Sequence, residues 1–383
     1  MPDEQRKIPI PAVMNVGEFM ARFGTHEACL EHLRRVRWGE NLDRFTCPAC
    51  GHTQGWWLAK RQLVECCECH RQTSVTAGTV FHRIRSPLWK WFWAIYQTAQ
   101  DKKGIAAMEL AKQISVSYST AWLMLQKLRR TMRRRDERYV LQGLVEVDET
   151  YVGGRAEGTT GRGAAKKTPV AVALELRGNG KPGRVAMRSI ERPDGHCLRR
   201  FAEGKIKKGA TLRTDGWSAY KLVAKAGFGH EAKVTGGGKV AVQTFPWLHT
   251  FIANMKRVIL GTYHSVSPKH LDNYLAEFNY RANRRWLEAN LFDRLITAAL
   301  GAKAVTYKEG SPPKKLLGEG AYVPGIGRNR LIPLAFGKLR PRGARPQARP
   351  TAHPIGRRPL ASLEQGERRP TGSRAAGLDG PAR

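Results

Sequence analysis

The chain has 383 residues, and its 66 Lys and Arg against 32 Asp and Glu leave a formal charge of +34. Such a length holds two or three domains and excludes a peptide or a lone small module. The charge lies far beyond what solubility requires and points to a polyanionic partner. The excess is not confined to the C-terminal region: residues 310–383 hold 15 Lys or Arg and 4 Asp or Glu, so residues 1–309 keep a surplus of 23. Four of the seven cysteines fall in one cluster, which argues against a disulfide scaffold. The first residues have no apolar core of signal-peptide type, and no stretch approaches the ~18 apolar residues of a membrane span. The expectation is a cytoplasmic, nucleoid-associated protein with no membrane contact.

In chain order, residues 12–38 repeat Val16, Phe19, Met20 and Phe23, then Cys29, Leu30, Leu33 and Val36, at three- and four-residue intervals, and predict helical packing. Cys47-Pro-Ala-Cys50 and Cys66-Cys-Glu-Cys69 follow, two C-x-x-C pairs with 15 residues between them. Each pair can place two thiolates on one tetrahedral ion from a tight turn, so Cys47, Cys50, Cys66 and Cys69 predict a structural Zn²⁺ ribbon. Cys67 competes for a ligand place, and the x-x spacing favours Cys66.

Residues 86–138 turn helical. Residues 106–114, the turn at 115–118 and residues 119–130 read as a helix-turn-helix, with Ser117 or Ser119 as its cap. A plain helical hairpin satisfies the same periodicity. The arginine cluster at 129–135 favours a DNA reader, because guanidinium groups suit phosphates. The DNA-contact candidates are Ser119, Thr120, Lys127, Arg129, Arg130, Arg133 and Arg134.

Past Tyr139 the composition shifts to strands. Residues 144–152 alternate so that Glu146, Asp148 and Thr150 share one face and Val145, Val147 and Glu149 the other. Residues 169–176 and 184–190 complete a three-stranded meander across the turn at 178–183. A helix near 198–207 precedes the β-type run 210–215, which ends in Asp215 just before Gly216. A short strand near 232–234 and further helices follow. Asp148 and Asp215 lie 67 residues apart, and Asn254 lies 39 further on. Carboxylate oxygens from neighbouring strands suit Mg²⁺ or Mn²⁺, and a cation held there serves phosphoryl transfer. The element order predicts an α/β fold with a ribonuclease-H-like mixed-sheet core. Residues 307–383, rich in Pro, Gly and basic residues, are expected to be disordered.

The chain resembles the bacterial insertion-sequence transposases of the ISXO-like type. The likeness rests on Arg37-Trp38, Cys47-Pro-Ala-Cys50-Gly51-His52, Cys66-x-x-Cys69, the run 74–82, Val147-Asp148-Glu149-Thr150-Tyr151-Val152-Gly153-Gly154, Gly161-Arg-Gly163 and Thr214-Asp215-Gly216. It continues through His249-Thr250, Asn254-x-Lys256, Gly261-Thr-Tyr-His264, the run 266–270, Tyr274-Leu-x-Glu277-Phe278 and Arg281-x-Asn283-Arg284-Arg285. The resemblance implies a division into N-terminal helices and zinc ribbon (1–85), helix-turn-helix (86–138), catalytic domain (139–306) and tail (307–383). It also implies a catalytic set of Asp148, Asp215 and Asn254, with Asn254 where many relatives carry glutamate and Lys256 near the phosphate of the transferred strand. Glu277 competes as a third acid but has apolar neighbours; His249 is a further candidate for the cation or the scissile phosphate. The expected partners are double-stranded DNA, as element ends and target, and further copies of the chain on that DNA. A DNA-binding protein without catalysis and a nuclease for RNA–DNA hybrids are the rival readings.

Overall fold

A break at Gly24 divides the first helical segment of this computed structural model, which describes residues 13–153, 167–234 and 238–303. The helical segment expected over 12–38 is two helices, α1 (Val16–Phe23) and α2 (His26–Trp38). Gly24 closes the first, and extended Thr25 caps the second by accepting from the Ala28 N–H. Asn15 and Glu18 form a reciprocal capping box at the start of α1. Strands β1 (Gly55–Leu58), β2 (Leu63–Cys66) and β3 (Gln72–Ser74) then make a small antiparallel sheet.

Helices α3 (Leu88–Gln100), α4 (Ala107–Gln113) and α5 (Tyr118–Asp136) follow. Ser117 caps α5 by accepting from the Thr120 N–H. At 19 residues α5 runs well past the expected reading helix.

A single apolar cluster joins α1–α5, the small sheet and the last helix, α11 (Leu291–Gly301). Phe292 of α11 meets Phe23 at 5.3 Å and Phe92 at 5.9 Å between ring centroids. The sequence-drawn lines at 85/86 and 138/139 therefore cross a continuous core, and α11 packs with the N-terminal half rather than with the domain that precedes it in sequence. The physical reason is size: a three-stranded ribbon has too little apolar interior to stand apart.

The second half is built on a five-stranded sheet of order β6-β5-β4-β7-β8. Strands β4 (Leu144–Val152), β5 (Thr168–Leu176) and β6 (Pro182–Ser189) form the expected antiparallel meander. After α6 (Gly195–Lys205), β7 (Thr211–Thr214) returns parallel to β4; after α7 (Tyr220–Ala224), β8 (Gly229–Ala232) lies parallel to β7. This mixed α/β order is that of a ribonuclease-H-like core. Strand β8 ends at Ala232, earlier than the expected 232–234.

Helices cover both faces. Val145 and Val147 pack with Leu198, Phe201 and Tyr220 of α6 and α7. Val170, Val172 and Leu174 of β5 pack with α9 (Pro246–Val258) and α10 (Pro268–Ala282). Helix α8 (Gly238–Thr244) leads into α9, and a π-helical segment (Ile259–Tyr263) leaves it. No helix among the described residues is long and apolar enough to cross a membrane. The Gly161–Gly163 motif and the tail expected to be disordered lie outside the described residues.

Candidate active site and metal centres

The Cys₄ site is assembled from two short loops beside the ribbon strands. The ligand atoms of Cys47, Cys50, Cys66 and Cys69 all lie within 4.8 Å of one another. The Cys47–Cys69 and Cys50–Cys66 sulfur separations are 3.6 and 3.5 Å, close to the ~3.8 Å edge of a tetrahedron with 2.3 Å zinc–sulfur bonds. The backbone N–H groups of Cys50 and Ala49 hold the Cys47 thiol at about 6, favouring the thiolate that binds metal. Cys67 is not in the set, so the choice of Cys66 stands. All four positions are taken by protein sulfur, the mark of a closed structural zinc site.

The acids come together through strand register. Parallel pairing matches Leu144 with Thr211, Val145 with Leu212 and Glu146 with Arg213. The same offset puts Asp215, one residue beyond β7, level with Asp148 on the adjacent strand, where neighbouring strands run about 4.8 Å apart. Each carboxylate is braced by its own backbone: the Glu149 N–H donates to Asp148 Oδ1 at 2.8 Å and the Trp217 N–H to Asp215 Oδ1 at 3.0 Å. Between them Gly216 takes φ +84°, where a Cβ would meet the Val234 side chain at 3.1 Å. Glycine thus lets the chain leave the sheet sharply without turning Asp215 away.

Buried Tyr220 was not anticipated, and it reports on the pair. Its hydroxyl donates to Glu149 Oε1 at 2.5 Å. Burial, then the charge and hydrogen bond of Glu149, then the charges of Asp148 and Asp215 push it well above the usual tyrosine range. Glu149 thus points away from the cation face, as the pleat requires. The available sequence signal was the aromatic pair Trp217 and Tyr220 directly after Asp215. Glu146, two residues before Asp148 and on its face, is buried; burial raises its carboxyl to about 7, against the charges of Arg213 and Lys233.

Helix α9 determines what else reaches Asp148. Leu248 and Met255 are its buried floor against the sheet. Lys256 lies within the electrostatic reach of Asp148: desolvation lowers its ammonium, the Asp148 carboxylate raises it, and Lys167 lowers it. Asn254 is placed elsewhere. It is exposed, its Oδ1 accepts from Arg257 Nη1 at 3.3 Å, and it lines a cavity of about 530 Å³ with Lys103, Phe251, Arg281 and Arg285. Asn254 and Lys256 thus lie on different flanks of α9. Residues two apart on a helix are turned by about 200°, so when Lys256 faces the acids Asn254 cannot.

The DNA-contact candidates divide the same way. Ser119 is exposed, and Thr120 is half-buried and shares a hydrogen bond with Ser117. Lys127 is half-buried, its ammonium 5.7 Å from the Trp91 ring centroid. Arg130 and Arg133 are half-buried, Arg133 pairs with Glu137 at 3.3 Å, and exposed Arg134 donates to the Lys303 carbonyl at 2.9 Å. Arg129 is a correction, because it is 2% exposed and sealed inside. Its Nε donates to Glu277 Oε2 at 2.7 Å, and its guanidinium lies 4.0 Å from the Tyr274 ring centroid. Glu277 also accepts from Tyr263 and pairs with Arg281. That full set of partners makes Glu277 a structural acid rather than a third catalytic one.

Residues 24–72 match the transposase zinc-ribbon domain of the IS1595 type, and residues 140–283 match the ISXO2-like transposase domain. No curated protein matches the chain in sequence. Similar solved structures include a pre-cleavage Mos1 transpososome, 11% identical over 51% of this chain and 74% of that one, with a TM-score of 0.23. A Mos1 strand transfer complex is 12% identical over 55% and 78%, with a TM-score of 0.23. A Mos1 mariner paired-end complex with Mn is 11% identical over 51% and 74%, with a TM-score of 0.22.

Proposed function

Because the chain belongs to the ISXO2-like insertion-sequence transposases, we propose that it binds the inverted repeats at the ends of a mobile element, cleaves a DNA strand there and joins it to target DNA. The observation that carries this reading is the register that sets Asp148, within β4, level with Asp215, one residue past β7, on adjacent parallel strands, with Lys256 within the electrostatic reach of Asp148. Two carboxylates side by side and open to one flank form a hard-oxygen donor set that fits Mg²⁺ or Mn²⁺. A divalent cation bound there supplies charge neutralisation at phosphorus and a more acidic water.

The protein's own groups do the rest. The backbone N–H groups that brace Asp148 and Asp215 hold both carboxylates in place. The Lys256 ammonium offsets charge on the scissile phosphate's non-bridging oxygens. Both reactions are in-line displacements at phosphorus: water attacks a phosphodiester at the element end and releases that end's 3′-oxygen as a hydroxyl, which then attacks a target phosphodiester and displaces the target strand's 3′-oxygen. No covalent protein intermediate is required. The exposed start of α5 with Ser119, Thr120 and the neighbouring basic groups reads the element end, and the zinc ribbon supports that surface. Cutting two ends together calls for at least two copies on DNA, in the bacterial cytoplasm at the nucleoid.

The test uses the full chain with duplexes taken from either side of its coding region and Mg²⁺ or Mn²⁺. Wild type is expected to nick or cut at the repeat boundary, and Asp148→Ala to bind the same duplex without cutting it. Undiminished cutting by Asp148→Ala overturns the assignment. Binding by wild type with no cutting under either cation establishes the rival, a binding protein without catalysis.

A further inference from the structure

We infer that His249 supplies a ligand to the cation held by Asp148 and Asp215, in the place that spacing assigned to Asn254. The inference rests on the proposed cation site and concerns who completes it. Its ground is the way α9 lies on the sheet.

Two residues fix the helix's rotation. Leu248 and Met255, seven apart and both fully buried, belong to the same apolar cluster as Val170 and Val172 of β5. Seven residues make nearly two full turns, so positions 248 and 255 stack within about 20° of each other. The residue after each is turned about 100° to one flank, and the residue before each about 100° to the other. His249 and Lys256 therefore share one flank, and Trp247 and Asn254 share the opposite one.

Which flank faces the acids is decided independently. Val172, under the helix, is the cross-strand partner of Asp148, so α9 overlies the strand pair that carries the acid. Helix α10 packs on β6, toward the sheet edge away from β7. On the other side, Asn254 faces Arg257 and the cavity walled by Arg281 and Arg285, while Trp247 is exposed. The Asp148 flank of α9 is thus the one that carries His249.

Side-chain direction brings His249 to the right level. Helical side chains lean toward the helix N-terminus, so the long Lys256 stem carries its ammonium back over the preceding turn, toward residues 252 and 253. The other residues on that flank are Ile252 and Ala253, which have no donor atom. His249 is half-buried and is the one remaining donor side chain on this flank among the described residues of α9. A neutral imidazole nitrogen can join two carboxylates on Mn²⁺, whereas hard Mg²⁺ prefers oxygen in that place.

The test is pulsed electron paramagnetic resonance of Mn²⁺ bound to the full chain, with histidine labelled with ¹⁵N. Wild type is expected to show a directly bonded histidine nitrogen coupling. His249→Ala is expected to lose it and to bind Mn²⁺ at least tenfold more weakly; Asn254→Ala is expected to retain both coupling and affinity. His249→Glu should restore affinity without the nitrogen coupling, which separates loss of a ligand from loss of fold. A coupling that survives in His249→Ala, or is absent from Mn²⁺-loaded wild type, overturns the inference while leaving the acid pair in place. Mn²⁺ binding that survives unchanged in Asp148→Ala overturns the site itself.

Discussion

The zinc site and the proposed cation site of this chain are built in opposite ways. The four cysteines come from one stretch, residues 47–69, and their ligand atoms all lie within 4.8 Å of one another. The two acids lie 67 residues apart in the chain and are brought level only when β7 docks parallel to β4 in one register. A closed, locally encoded site can stabilise a fold but has no open position for a substrate. An open site needs the fold first and leaves a flank free for a phosphate. On the proposed function, the same chain uses one ion to hold structure and reserves another place for chemistry.

The largest expected effect lies on the closed side. Removing zinc by chelation, or by Cys66→Ser, forfeits folding free energy that in zinc-finger-sized sites reaches about 10 kcal/mol. Because the ribbon shares its core with α2 and α3, the loss should spread: calorimetry should show the whole N-terminal transition collapse. A ribbon that melts alone, leaving those helices unchanged, would break the contrast between a structural and a reactive centre.

Next comes the buried pair that ties the two halves together. Glu277→Ala leaves the Arg129 guanidinium buried without its carboxylate and should cost about 3–5 kcal/mol in denaturant unfolding. The pair also gives a pH signature. Burial raises the Glu277 carboxyl, but the charges of Arg129 and Arg281 outweigh it and hold it below its ordinary range. The folded-state value is depressed, so the contribution is present above the unfolded carboxyl's value of about 4.3 and is lost as pH falls below it. Glu277→Gln should flatten this acid limb; an unchanged acid limb would show that the pair is not coupled to folding.

A smaller effect distinguishes the two flanks of α9. Lys256→Met is expected to slow strand cleavage about 100-fold with little change in end binding, the scale of removing one charged group from a phosphoryl-transfer site. Asn254→Ala should change cleavage less than about threefold. Reversal of that order in single-turnover assays would return the third place to Asn254.

What was legible in the sequence follows the same division. The zinc ribbon is local, so its spacing named all four ligands and separated Cys66 from Cys67. Strand alternation placed Asp148 on one face and Glu149 on the other, because a period of two leaves no choice once one face is buried. Helix α9 was harder to read. Its sequence says that Asn254 and Lys256 diverge, but only packing of Leu248 and Met255 on β5 says which of them meets the acids. Arg129 was illegible for a related reason: it sits in a basic run that suits phosphate, and its partner, Glu277, is 148 residues away. Tyr220 carried no motif of its own and becomes informative only beside Glu149.

The central claim is that Asp148 and Asp215 act as one cation site. Calorimetric titration of Mn²⁺ into zinc-loaded wild type, Asp148→Asn, Asp215→Asn and the double variant tests it most directly. The account predicts that either single substitution removes the tight site and that the double is no worse than each single, the non-additivity expected of two ligands sharing an ion. Independent, additive losses, or tight binding that persists in both single variants, would contradict it.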